Sequence, residues 1–118
     1  MLVAIGRYLR KLRIDRGELL KDMSDKLDVT ASYLSAVENG KRNFPSEWET
    51  QIIEHYHLNE VEQIDLRNAI TESAESVKIE LKNVNGSRKN FAFALARKFD
   101  SLDDDKIEQI KKILESNA

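Results

Sequence analysis

Leu20-Lys21-Asp22-Met23-Ser24-Asp25-Lys26-Leu27-Asp28-Val29-Thr30-Ala31-Ser32-Tyr33-Leu34-Ser35-Ala36-Val37-Glu38-Asn39-Gly40-Lys41-Arg42 is the stretch that decides the fold. Leu20, Met23 and Leu27 recur at the spacing of one helix face. Asp28-Val29 breaks that pattern. Thr30 is a good N-cap, because its hydroxyl accepts a bond from an early amide of the helix that follows. Leu34 and Val37 define a second inward face. Asn39-Gly40 closes it, since both residues tolerate the positive φ of a helix stop. Two short helices are expected, over residues 19–27 and 31–39, with a turn of three to four residues between them. Ser24 supplies the small side chain that a close crossing needs.

Outward from this pair, Ile5, Leu9 and Leu12, with Tyr8 beside them, predict a helix over residues 3–16 that stops at Gly17. Residues 41–45 read as a basic loop. Ser46 with Glu49 suggests a capping box for a fourth helix over residues 47–56, carrying Trp48, Ile52, Ile53 and Tyr56. Asn59 with Glu62 repeats the pattern for a fifth, whose apolar members are Val61, Ile64, Leu66 and Ile70. Residues 71–76 are small and polar, as in a linker. Residues 77–82 alternate apolar and charged, which is strand period. Asn85-Gly86 is a turn signal. Phe91, Leu95 and Phe99 then mark a helix over residues 87–99. Ser101 with Asp104 caps a last helix carrying Ile107, Ile110, Ile113 and Leu114.

Composition bounds the function. The 118 residues include no cysteine, one proline and four glycines. Disulfides and cysteine zinc sites are excluded, and a cytoplasmic setting is expected. Residues 1–6 are apolar but too few for a signal peptide, and no apolar run is long enough to span a membrane. Net charge is −2, unevenly spread. Residues 1–45 hold nine basic and six acidic side chains, whereas residues 46–118 hold ten and fifteen. A basic front and an acidic back suit a DNA-reading module whose tail stays off the phosphates.

The second helix of the central pair leaves Ala31, Ser32 and Ser35 on its outer side, with Tyr33 beside them and Ala36 one turn on. Such a helix fits the DNA major groove, where residues near its start reach base edges. The segment resembles the Cro/repressor-type helix-turn-helix (XRE) family of bacterial and phage regulators. Met23, Leu27, Val29, Thr30, Tyr33, Leu34, Ser35 and above all Glu38-Asn39-Gly40-Lys41-Arg42 carry the resemblance, which covers about residues 5–68. It implies a mainly α fold, a five-helix repressor-like DNA-binding domain over residues 1–70. A dimerisation or interaction segment over residues 71–118, a short strand and two helices, would follow it. It implies base contacts from Ala31, Ser32, Tyr33, Ser35 and Ala36. Phosphate contacts are implied for Thr30, Asn39, Lys41, Arg42 and Asn43. Arg13 and Glu38 match a structural ion pair. The chain departs from the family in placing Leu19 and Leu20 where Thr-Gln or Ser-Gln is common, and Asp28 where the turn usually has glycine.

The implied partner is double-stranded DNA, bound by a homodimer on a palindromic operator. A lone strand leaves both its edges unpaired. Val77, Ile79 and Leu81, with Phe91, Leu95 and Ile110, are therefore expected at a dimer contact. An antitoxin whose tail binds a toxin, and a protein adaptor on a repurposed helix-turn-helix, are the rival readings. No cofactor, metal or enzymatic activity is expected. His55 and His57 diverge on a helix and lack further ligands. Asp103, Asp104 and Asp105 complement a helix dipole. Arg10 and Arg16 read as solvated, and Phe44, Trp48 and Tyr56 as core.

Overall fold

The computed structural model describes residues 1–116. Its described residues form two compact units, Met1–Val77 and a second beginning at Lys78. The first contains α1 (Ala4–Arg16), α2 (Leu20–Lys26), α3 (Ala31–Glu38), α4 (Trp48–Tyr56) and α5 (Glu60–Ser73). The second contains α6 (Gly86–Lys98), a 3-10 turn (Phe99–Ser101) and α7 (Asp104–Glu115). The protein is mainly helical, as expected.

One device ends the first four helices. Each runs into a residue with left-handed backbone: Gly17 (φ 66°), Asp28 (57°), Gly40 (74°) and His57 (51°). After α2, Asp28 N–H donates to Asp25 O at 3.1 Å and Val29 N–H to Ser24 O at 3.0 Å. These are the paired bonds of a Schellman motif, which satisfies carbonyls a helix end would otherwise strand. Gly40 and Lys41 repeat it after α3, donating to Val37 O and Ala36 O. Gly17 and Glu18 repeat it after α1. A short polar side chain tolerates the left-handed region better than most, so Asp28 replaces glycine without opening the turn.

The core of the first unit collects Ile5, Leu9 and Leu12 from α1, Met23 and Leu27 from α2, and Leu34 and Val37 from α3. Trp48, Ile52 and Tyr56 from α4, Leu58, and Leu66 from α5 complete it. Helix α5 runs along α1. Its buried stripe is Leu66 with half-buried Ala69 and Ile70, while Val61 and Ile64 lie off it and are exposed. Residues 71–73, read as linker, are the last turn of α5. Ser73 earns that turn, because its hydroxyl accepts from Ile5 N–H at 2.8 Å and donates to Ala69 O at 2.9 Å. The open start of α1 is thereby capped from a distant helix.

The capping box of Asn59 and Glu62 is present, with reciprocal bonds of 2.8 and 2.9 Å. That of Ser46 and Glu49 is not. Trp48 N–H instead donates to Pro45 O at 3.0 Å, so a backbone turn starts α4. Asn85-Gly86 opens α6 rather than a turn, with Asn85 Oδ1 accepting from Arg88 N–H at 2.8 Å. Asp103, not Ser101, caps α7.

The expected strand over residues 77–82 is absent. The segment is extended but unpaired, with Val77 and Ile79 exposed and Leu81 half-buried. Alternation only says which side chains share a face, whereas a strand exists through its ladder, and no partner strand occurs among the described residues. Lys78 and Glu80, on one side of the extended chain, form an ion pair at 3.0 Å instead.

Candidate nucleic-acid interface

Helix α3 is held by its inner side and presents its outer one. Leu34, Val37 and Glu38 are buried, while Ser32 is exposed and Ala31, Ser35 and Ala36 are half-buried. Thr30 starts the helix by accepting from Tyr33 N–H at 3.1 Å. Behind α3, Lys41 and Arg42 both donate backbone N–H to Ala36 O, at 2.9 and 3.3 Å. The cationic loop is thus locked to the helix end. Lys41, Arg42 and Asn43 are exposed, and neither cation has an ion-pair partner among the described residues. Two unpaired cations beside the accessible side of a capped helix suit a phosphate-bearing duplex.

Two of the expected contacting residues are committed elsewhere in part. The Tyr33 ring stands edge-on to Trp48, with centroids 5.8 Å apart, and Phe44 also stands edge-on to Trp48, at 5.6 Å. Tyr33 therefore walls the helix as well as edging its outer side. Asn39 turns its amide back on α3, donating to Ser35 O at 2.8 Å, and so stiffens the helix end.

Two close contacts set the position of α3. Arg13 and Glu38, both buried, form a two-pronged ion pair. Arg13 Nη1 donates to Glu38 Oε2, and Arg13 Nη2 lies 3.3 Å from Glu38 Oε1. Arg13 also meets Met23 Sδ at 3.4 Å, so one guanidinium ties α1 to α2 and α3. The second contact is backbone on backbone. Val3 N–H donates to Glu38 O at 3.1 Å, and Gly6 lies so close that an added Cβ would stand 2.0 Å from Glu38 O.

The segment matches a known family at this point. The family model described as helix-turn-helix domain matches residues 4–65, more than half of the chain. The chain belongs to that family. No curated protein and no solved structure matches it. Family membership makes it a helix-turn-helix DNA-binding regulator.

The start of α2 is already occupied by a side-chain carboxylate. Leu19 N–H donates to Asp22 Oδ2 at 2.8 Å, which sets a carboxylate at the positive end of the helix. Leu19 itself is an exposed apolar side chain.

Three supports were not foreseen from sequence. Gly6 admits the end of α3, and a glycine inside an amphipathic helix was the available signal. Ser73 caps α1, for which sequence gave no sign. Glu18, Lys26 and Tyr56 join the end of α1, α2 and α4. Tyr56 donates to Glu18 Oε1 at 2.6 Å, Lys26 pairs with Glu18, and its ammonium lies 4.5 Å from the Tyr56 ring centroid. Burial raises the Glu18 carboxyl, but its bonds to Lys26 and Tyr56 outweigh that and hold it below its ordinary value. Burial and the Glu18 bond push the Tyr56 phenol up. Tyr8 donates to Glu62 O at 3.0 Å, and its hydroxyl is pushed up to about 12 by burial and then by the Glu62 and Asp65 charges. His55 and His57 are both exposed, and no metal-type cluster occurs among the described residues. No helix among them is long and apolar enough to cross a membrane.

Proposed function

We propose that the chain is a sequence-specific transcriptional repressor of Cro/repressor (XRE) type that binds a palindromic operator as a homodimer. The first unit reads DNA and the second assembles the dimer. The observation that carries this is the pairing of an accessible α3 face with an unpaired cationic loop fixed to its end. Helix α3 enters the major groove, with Ala31, Ser32, Tyr33, Ser35 and Ala36 toward base edges. Ser32 and Ser35 supply the hydrogen bonds, Ala31 and Ala36 touch thymine methyls, and Tyr33 meets the groove edge. Thr30, Asn39, Lys41, Arg42 and Asn43 hold the sugar-phosphate rail on either side. Two copies of α3 about 34 Å apart would fill successive major grooves.

Selection from a random DNA pool, followed by titration over a range of salt, tests the reading. The selected sites are expected to be palindromic. Lys41→Ala with Arg42→Ala should weaken binding to every sequence alike and flatten the log–log salt slope by roughly two. A native chain with no salt-dependent affinity for any duplex would overturn the proposal.

A further inference from the structure

The entry to α1 lies against the exit of α3. Val3 N–H donates to Glu38 O, the carbonyl of the last residue of α3, at 3.1 Å. The Val3 side chain fills the space beside Gly40, where an added Cβ would stand 2.8 Å from Val3 Cγ1. Val3 is therefore held next to the loop that goes on to Lys41 and Arg42. Arg7, in the first turn of α1, reaches the same place. Its Nη1 donates to Leu2 O at 2.9 Å. Only one peptide unit separates Leu2 O from Val3 N, so the guanidinium lies within about 8 Å of Glu38 O. Arg7 is exposed and, like Lys41 and Arg42, forms no ion pair among the described residues.

A guanidinium carries five N–H donors in a planar fork, and the bond to Leu2 O engages one edge of it. That bond fixes the side chain before any ligand arrives, so less rotamer freedom remains to be lost on binding. Glu38, the acid at this helix end, is buried and already paired with Arg13, so it does not neutralise Arg7. Two segments distant in sequence thus gather three unpaired cations about the end of one helix. Such a cluster repels itself in the free protein and suits a chain of phosphates. We propose that Arg7 is a third phosphate-binding residue of the duplex interface. The sugar-phosphate rail beside α3 is then held from two segments, the loop carrying Lys41 and Arg42 and the first turn of α1. The inference rests on the DNA-binding reading above and adds to it a contact from outside residues 30–43.

Titration of the full chain with a mixed-sequence duplex over a range of salt tests it, with Arg7→Gln as the first variant. Glutamine removes the charge but keeps a donor for Leu2 O. Arg7→Gln should weaken binding by roughly tenfold at low salt and flatten the log–log salt slope by about one. Combined with Lys41→Ala and Arg42→Ala, it should flatten the slope by about three in all. Arg7→Lys restores the charge without the fork, so it should recover the slope and part of the affinity. The negative end of the α3 dipole also favours a cation here, which is a structural role. A role confined to that dipole and to Leu2 O would lower Tm and leave the salt slope at its native value. That result would overturn the proposal. An Arg7→Gln slope equal to the native one, beside a flattened slope for Lys41→Ala with Arg42→Ala, would remove Arg7 from the interface and leave the DNA-binding reading standing. A native chain with no salt-dependent affinity for the duplex would overturn both.

Discussion

Replacing glycine by alanine at three positions should give three different outcomes, fixed by what each new methyl meets. At Gly6 the added carbon would stand 2.0 Å from Glu38 O, 2.8 Å from its carbonyl carbon and 2.9 Å from its Cα. All three are backbone atoms, so no side chain can swing aside, and α1 must retreat from α3 by about 1 Å or more to reach ordinary contact. That retreat strains the Val3–Glu38 backbone bond and the Arg13–Glu38 pair. Overpacking costs about 1–3 kcal/mol where side chains can give. A backbone clash belongs at or above the top of that range, and the gain of roughly 1 kcal/mol in helix propensity offsets only part of it. A net loss of about 2–3 kcal/mol corresponds to a fall in Tm of roughly 10–20 °C for a unit of this size. At Gly17 nothing lies within 4 Å, but φ is +66°, so Gly17→Ala should cost about 1–2 kcal/mol through the backbone alone. At Gly86 the space is open and the backbone helical, so Gly86→Ala should leave the first unit's transition unchanged. Thermal unfolding followed through Trp48 fluorescence reads all three. A Gly6→Ala chain at least as stable as the Gly17→Ala chain would refute the close approach of α1 to α3.

Glu38→Gln leaves the buried Arg13 guanidinium without its counter-charge, and urea denaturation should show a loss of about 3–5 kcal/mol, the usual cost of stranding a buried charge. The Tyr8 hydroxyl is an acid whose folded value lies above its ordinary 10.0, at about 12. Its contribution to stability is therefore complete below pH 10 and lost as pH rises toward 12. Tyr8→Phe should lower stability at pH 8 by about 1 kcal/mol and make the alkaline limb shallower, with Tyr56 supplying what remains of it. Asp28→Gly should be neutral or stabilise by up to about 1 kcal/mol, since glycine adopts the left-handed turn without steric cost; a clear loss of Tm would contradict that account.

The helix-turn-helix was legible because its signals are local. Leu20, Met23 and Leu27 against Leu34 and Val37 fix two helix faces within eighteen residues, and the cap at Thr30 and the stops at Asp28 and Gly40 lie between and after them. The box of Asn59 and Glu62 is likewise complete within four residues. Residues 77–82 misled for the complementary reason. Their alternation is local, but a strand requires a second strand, and nothing local reports its absence. Ser46 and Glu49 have the right spacing for a cap, yet the turn through Pro45 already serves Trp48 N–H.

By itself, the sequence determined the helical class, the order of the helices, the residue types at their ends and the cationic loop beside α3. Each of these depends on neighbours within a turn or two, where periodicity and capping chemistry act. Only the tertiary structure decided that Gly6 lies against the backbone of Glu38, that Ser73 caps α1 from 68 residues away, that Tyr33 shares its ring with Trp48, and that Leu66 rather than Ile64 faces the core. Contacts between distant segments are chosen by packing the whole unit at once, with every buried polar group partnered. No short window of sequence contains that condition.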